Sequence, residues 1–234
     1  AMKYNPTMPV YAEPSDPNYV KYGGYYQNFD KSGFSNPVAM VMQPTDDGGD
    51  QTFLGSVRAT IKPIAGLRIS AFGSYQYWNR STGKYLPSNS VAGNGTGGQA
   101  SKSNDFNTTR MFEATAQYTN EIQSHAFTVL AGYAYQDFVS ESFNGSNTQF
   151  ATDDFLYNNL GLGEGINNLT NGGSKDGIGI SSWKEEWKLA SVFGRINYNY
   201  DQRYFINASI RAEGSSKFGA NNRWGYFPAV SASW

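Results

Sequence analysis

The chain has 234 residues, no cysteine and a formal net charge of -1, which excludes a disulfide-stapled secreted scaffold and the basic footprint of a nucleic-acid binder. Aromatic and charged residues each make up 16%, with 26 glycines, and so many rings and glycines against so few charges is a β-rich composition rather than a helical one. No run of about 18 apolar residues occurs, so no transmembrane helix is encoded. A mean hydropathy of -0.55 still leaves strand-built membrane proteins open, because alternating strands hide a lipid face from any averaging window.

Residues 1–50 read as irregular. Pro6, Pro9, Pro14, Pro17 and Pro37, followed by Asp46-Asp47-Gly48-Gly49-Asp50, prevent both helix interior and central strand. Tyr11, Tyr19, Tyr22, Tyr25, Tyr26 and Phe29 argue for a loop packed on something, since a disordered tail is poor in aromatics.

Alternation begins at about Gln51. Phe53, Val57, Ala59 and Ile61 share one face, Leu54, Ser56, Arg58 and Thr60 the other, and Pro63-Ile64-Ala65-Gly66 reverses the chain. A second strand, Leu67 to about Trp78, sets Ile69, Ala71, Tyr75 and Tyr77 against Arg68, Ser70, Phe72 and Trp78. A polar Gly/Ser/Asn stretch, 79–107, reads as a long loop. The third strand, about Thr108 to Thr119, and the fourth, Phe127 to Gln136, are joined by a short reversal at Asn120 to Ser124. Residues 137–184 read as the longest loop, with Gly161-Leu162-Gly163 and Asn171-Gly172-Gly173. The fifth strand, Trp187 to Tyr200, turns at Asp201-Gln202 into a sixth that alternates Tyr204, Ile206, Ala208, Ile210 and Ala212 with Phe205, Asn207, Ser209, Arg211 and Glu213. A loop at 214–224 leads to a last extended run, Gly225 to Trp234, which breaks off inside a strand and so implies a longer parent.

Two regularities define the fold class. The strands are predicted at about 10 to 14 residues, beyond the usual five or six of soluble sheets. Connections alternate short and long, so one rim carries tight turns and the other long polar loops. With Tyr75, Tyr77, Tyr133, Tyr135, Tyr198 and Tyr200 near strand ends on the apolar face, this predicts an all-β chain, an antiparallel transmembrane β-barrel segment of six to seven strands with short periplasmic turns and long extracellular loops. Residues 1–50 would then be an extracellular loop region packed at the barrel mouth, and 51–234 the up-and-down strands. A large soluble antiparallel sandwich, which also alternates, is the competing fold.

The region of the sixth and seventh strands holds the most specific motif: Arg211-Ala212-Glu213-Gly214-Ser215-Ser216-Lys217-Phe218-Gly219, then Asn222-Arg223-Trp224-Gly225-Tyr226-Phe227-Pro228. It closely resembles the barrel motif of SusC/RagA-type TonB-dependent transporters of Bacteroidetes outer membranes, with Glu213 standing where family members typically carry aspartate. Tyr4-Asn5-Pro6-Thr7-Met8-Pro9-Val10-Tyr11, Asn36-Pro37-Val38-Ala39, Pro63-Ile64-Ala65-Gly66-Leu67 and Phe193-Gly194-Arg195-Ile196-Asn197-Tyr198 are also similar, in the family's order. The resemblance implies part of a roughly 22-stranded plugged barrel in the outer membrane. It would work with a SusD-like surface lipoprotein and import glycan oligosaccharides or peptides with energy delivered through TonB. It places the plug and the TonB box before Ala1 and further strands after Trp234. A soluble or surface carbohydrate-binding or adhesin module and a passive porin-like barrel are the alternative functions.

No catalytic inventory stands out. His125 is the only histidine, and Asp153-Asp154 and Glu185-Glu186 are adjacent acids that point to opposite faces of an extended chain. Gly93 to Gly98 lacks the strand–helix frame of a phosphate loop, and Asp46, Asp47 and Asp50 lack EF-hand spacing. The chain is thus read as a non-enzyme with no cofactor and no metal site. Binding falls to a lumen and its loops. Trp78, Tyr85 and Tyr157 offer flat faces for a substrate to stack on, and Arg195 and Arg211 lie on the polar face. Arg211 and Glu213 share that face and are expected to pin the Ser215–Arg223 loop through charge-assisted hydrogen bonds. The glycines and Asn221-Asn222 serve as backbone needs of that loop.

Overall fold

Alternating side chains demand extended neighbours on both sides, and the computed structural model, which describes residues 7–27, 35–93, 97–166 and 178–234, supplies them in chain order. Strands β1 (Thr45–Ile61), β2 (Leu67–Leu86), β3 (Gln99–Ile122), β4 (His125–Thr148), β5 (Gly179–Tyr200), β6 (Tyr204–Ser215) and β7 (Trp224–Ser233) form one seven-stranded sheet in the order β1 to β7. One short helix, α1 (Pro37–Met42), precedes them. Tyr4, Asn5, Pro6, Phe29, Asn94 to Thr96 and Asn171-Gly172-Gly173, singled out above, lie outside the described residues.

The strands are longer than alternation predicts. β3 and β4 each run 24 residues, β1 already contains Asp46 to Asp50, and the expected loops at 79–107 and 137–184 shrink to 87–98 and 149–178. Over Asn79 to Lys84 and Asn144 to Thr148 both faces are polar, so period two carries no hydropathy contrast there. The ladder persists there because backbone pairing does not depend on hydropathy. Thr82 pairs with Ser103 at 2.5 Å, Asn79 Nδ2 donates to Asn104 at 3.2 Å, and Ser140 donates to Asn107 at 2.5 Å.

The reversals are tight. Gly66 sits at φ +80, where a Cβ would meet the Thr119 carbonyl oxygen at 2.3 Å, so no side chain fits. At the β5–β6 turn, Asp201 and Gln202 hold φ of 52 and 50. Two successive left-handed residues match the twist of a two-residue hairpin, yet neither is glycine, so the turn carries local strain.

The chain divides into two units. One comprises Gln51–Trp78, Phe106–Glu141 and Lys184–Trp234. Here the antiparallel β5–β6–β7 ladder pairs Val192 with Ala212, Ile196 with Ala208, Tyr200 with Tyr204, and Ala208 with Val230, so these residues share one face. Its large apolar side chains are exposed: Val192, Ile196, Ile206, Ile210 and Val230 all lie open. Aromatics bracket that band, with Tyr200 and Tyr204 at the turn end and Trp224, opposite Gly214, at the other. From Tyr204 to Gly214 is ten residue steps of about 3.3 Å, which at a tilt of about 40° project to roughly 25 Å, the height of an outer-membrane barrel's apolar band. The reverse face carries Arg195, Asn197, Asn207, Ser209, Arg211 and Glu213.

The other unit comprises Ala1–Asp50, Asn79–Asp105 and Ser142–Trp183. It has small true cores: Tyr22, Ala39 and Val91 with Tyr25, and Tyr85, Ala100 and Phe150 with Leu156, Tyr157 and Leu160. Two buried asparagines hold its irregular backbone. Asn36 caps α1 by accepting from Val38 N–H (3.0 Å) and Ala39 N–H (3.4 Å), while its Nδ2 donates to the carbonyls of Val10 (2.8 Å) and Tyr26 (3.1 Å). Pro37 follows at the first helical position, where a missing N–H costs nothing. Asn147 repeats the device, donating to the carbonyls of Leu160 and Gly163 and accepting from the N–H groups of Thr148 and Ile166. The packed-loop expectation for Tyr22 and Tyr25 is thereby given a partner.

The excess of glycine and of aromatics is one feature, not two. Rings lie flat on glycines, so that an added Cβ would meet Phe193 at 2.3 Å from Gly132, Tyr157 at 2.3 Å from Gly83 and Trp224 at 2.9 Å from Gly214. Each glycine leaves a seat in the pleat that a side chain would fill.

Candidate functional site

The residues expected to bind fall into separate places. Within one unit, Arg211 and Arg195 lie on the same face of neighbouring strands, with Phe193 directly opposite Arg211 and Arg195 opposite Ser209. The Arg211 guanidinium stands 5.7 Å from the Phe193 ring centre, and its Nε donates to Glu213 Oε2 at 2.7 Å. Phe193 in turn is seated on Gly132. The arrangement is a compact ion pair on an aromatic platform, with Arg195 exposed beside it.

This corrects the role expected of Arg211 and Glu213. Their charges are spent on each other at close range, not on the following loop. The loop is held by other groups: Ser216 N–H donates to the Lys188 carbonyl (2.9 Å), Lys188 N–H returns a bond to Ser216 Oγ (2.7 Å), and Arg223 Nε donates to the Phe218 carbonyl (3.4 Å). Lys217 adds an ion pair to Glu185 at 3.3 Å and lies 5.3 Å over the Trp187 ring. Trp187 also stacks on Phe138 at 5.4 Å. Sequence reading missed this Phe138–Trp187–Lys217 cluster, since nothing in the linear order links β4, β5 and the β6–β7 loop.

In the other unit Tyr85 is also a correction. It is 1% exposed, so it has no face to offer a substrate. Its hydroxyl donates to Asp153 Oδ1 at 2.6 Å, and the same carboxylate accepts from Ser88 N–H and Oγ at 3.2 Å each. Burial follows from the strand's extension to Leu86, which puts Tyr85 inside a sheet rather than on a loop. Tyr157 joins the same cluster. It lies on Gly83, with Lys102 6.0 Å over its ring and its hydroxyl donating to Asp47 at 2.8 Å. The bond to Asp47, helped by partial burial, raises the phenol above its ordinary pKa. Trp78, on β2 in the first unit, is partly buried.

The acids considered for chemistry go to different partners. Asp46 pairs with Lys84 (3.0 Å), Asp50 with Arg80 (3.9 Å) and Asp47 with Tyr157, so the three do not converge. Asp153 serves Tyr85 while Asp154 accepts from Thr152. His125 meets Tyr198, with 2.7 Å between Nδ1 and the phenol oxygen. Among the described residues no group of three or more His, Cys, Asp or Glu is placed to hold a metal ion.

No protein-family model matches the chain. Curated proteins do. The TonB-dependent receptor P26 of Formosa agariphila is 30% identical over 235 residues, covering 98% of this chain and 22% of the receptor. The receptor P3 of the same organism is 29% identical over 212 residues, 91% of this chain and 20% of the receptor. The TonB-dependent receptor SusC of Bacteroides thetaiotaomicron is 26% identical over 258 residues, taking in 100% of this chain and 23% of SusC. The chain is similar along its length to TonB-dependent receptors, SusC among them. It spans about a fifth of the length of these relatives.

The fold agrees. The solved RagAB peptide transporter superposes on 89% of this chain with a TM-score of 0.75 at 23% identity, again over 22% of the matched chain. The seven-stranded sheet therefore has the fold of a segment of that transporter's β-barrel, as the alternation and loop asymmetry predict for a barrel segment. The same likeness decides against the soluble sandwich.

Proposed function

We propose that this chain is a wall segment of an outer-membrane importer that takes up oligomeric nutrients with energy delivered through TonB. The observation that carries the reading is the match of the whole chain to SusC and to 98% of its length in a second TonB-dependent receptor, together with an exposed apolar band bracketed by tyrosine and tryptophan. A barrel wall must show lipid one face and the lumen the other, and β5 to β7 segregate their side chains accordingly. On this reading the apolar face meets outer-membrane lipid, the long connections lie outside, and the polar face with Arg195, Arg211 and Trp78 looks toward the passage.

The partner proposed is a SusD-like surface lipoprotein, and the cargo is a glycan oligosaccharide or a peptide. The test is uptake by cells with the full receptor gene deleted and restored, offered fluorescent oligosaccharides and oligopeptides with and without a proton-motive-force uncoupler. Loss of one cargo on deletion and on uncoupling is expected. Uptake that survives the uncoupler would make the barrel a passive pore. Recovery of the receptor in the soluble fraction would instead favour a binding module.

A further inference from the structure

Within the unit built on β4 to β7, an apolar groove of about 400 Å³ opens on the apolar face. Its floor is Ala131, Gly194 and Ala208, and its walls include Val129, Ile196 and Ile210. Further along the same three strands, toward the tight turns, lies a row of polar-tipped side chains. His125 shares a 2.7 Å hydrogen bond with Tyr198, its ring lies 4.9 Å from that of Tyr200, Tyr200 stacks on Tyr204 at 6.3 Å, and the Arg203 guanidinium lies 5.6 Å over Tyr204. Tyr200 and Tyr204 are 41% and 46% exposed, and their hydroxyls carry no hydrogen bond among the described residues.

We propose that this is a binding site for one membrane phospholipid, with an acyl chain in the groove and an amine-bearing zwitterionic head at the turn end; the inference rests on the membrane-barrel reading above. Two separate observations converge. Taking about 30 Å³ per methylene-sized group, by analogy with water's share of liquid volume, the groove holds on the order of a dozen such groups, the length of an acyl chain. The row toward the tight turns offers a guanidinium, an imidazole and two free phenol donors to a phosphodiester. Asp201, in the adjoining turn whose N–H bonds the Ser124 carbonyl at 2.8 Å, supplies the opposite sign for an ammonium. Tyrosine suits the boundary between the two, with an apolar body and a wet tip.

Gly194 makes the site testable without threatening the fold. A Cβ there would have only the Leu130 carbonyl oxygen as a neighbour, at 3.6 Å, so Gly194→Leu fills the groove with an apolar side chain on an apolar face. The full-length receptor in mild detergent would be mixed with dioleoyl phosphatidylethanolamine and examined by native mass spectrometry. Expected are one retained phospholipid per receptor, at least tenfold less retention in Gly194→Leu, and at least threefold less in His125→Gln/Arg203→Gln. Ala71→Leu, on β2 away from the groove, should retain lipid as the parent does. Equal retention in Gly194→Leu and the parent, or an equal loss in Ala71→Leu, would overturn the site. Insertion into vesicles, read by heat-modifiable gel mobility, separates the two levels. A receptor that inserts but holds no lipid refutes only this site, whereas one that never inserts refutes the membrane reading itself.

Discussion

Neighbouring residues on β5 give a sharp test of which face meets lipid. Ile196 pairs with Ala208 and Asn197 with Asn207, so the two side chains leave opposite faces of the sheet. Ala208 lies four steps from Tyr204 and six from Gly214, which puts Ile196 near the middle of the roughly 25 Å band. An arginine at that depth on a lipid-facing strand costs about 2–4 kcal/mol, while the same residue facing a polar lumen costs close to nothing. At about 1.4 kcal/mol per decade, Ile196→Arg should lower the folding equilibrium in lipid vesicles by roughly 30- to 1000-fold. Asn197→Arg should shift it by less than about threefold. The measurement is a urea titration of the full-length receptor in vesicles, scored by heat-modifiable mobility. Equal costs at the two positions, or a larger cost at Asn197, would refute the assignment of faces.

Other expectations follow from single contacts. Asn36→Ala leaves two N–H groups and two carbonyls without their buried partner, and should destabilise the α1 region by about 2–4 kcal/mol, read as lost hydrogen-exchange protection near α1. Tyr85→Phe keeps the ring but removes a hydrogen bond to a carboxylate that still holds two bonds from Ser88; a loss of about 1–2 kcal/mol is expected, and faster proteolysis at 149–166 would report it. The raised pKa of Tyr157 means that its contact with Asp47 contributes fully below the ordinary phenol pKa near ~10 and is lost as pH climbs through the raised value. Proteolysis of the 149–166 segment should therefore accelerate at alkaline pH in the parent, whereas Tyr157→Phe should cleave at a rate independent of that titration. Replacing Asp201-Gln202 by Asn-Gly relieves two left-handed residues and should stabilise the β5–β6 hairpin by about 1 kcal/mol, seen as a higher urea midpoint.

How far the chain could be read in advance depended on where chemistry differed between faces. From Tyr204 to Glu213 every second side chain changes character, and the strand and its register partner on β5 emerge where expected. From Asn79 to Lys84 and from Asn144 to Thr148 both faces are polar, so strand looked like loop. Arg211 and Glu213 were rightly placed on one face, but their mutual pairing depends on rotamers that no spacing encodes. Tyr85 was misread for the same reason as its strand, since an aromatic taken to lie on a loop turned out to lie in a covered sheet.

The sequence by itself determined the all-β class, the number and order of the strands, the alternation of tight and long connections and the likeness carried by Arg211 to Pro228. These are local properties, written in period two, in turn residues and in a contiguous motif. Tertiary structure alone decided how far each strand continues, which rings sit on which glycines, and that Asn36 and Asn147 hold the irregular segments together. It also decided that a groove forms on β4 to β6 and that His125 meets the tyrosines further along the same strands. Those features join residues tens of positions apart, and only the hydrogen-bond ladder brings them within contact distance.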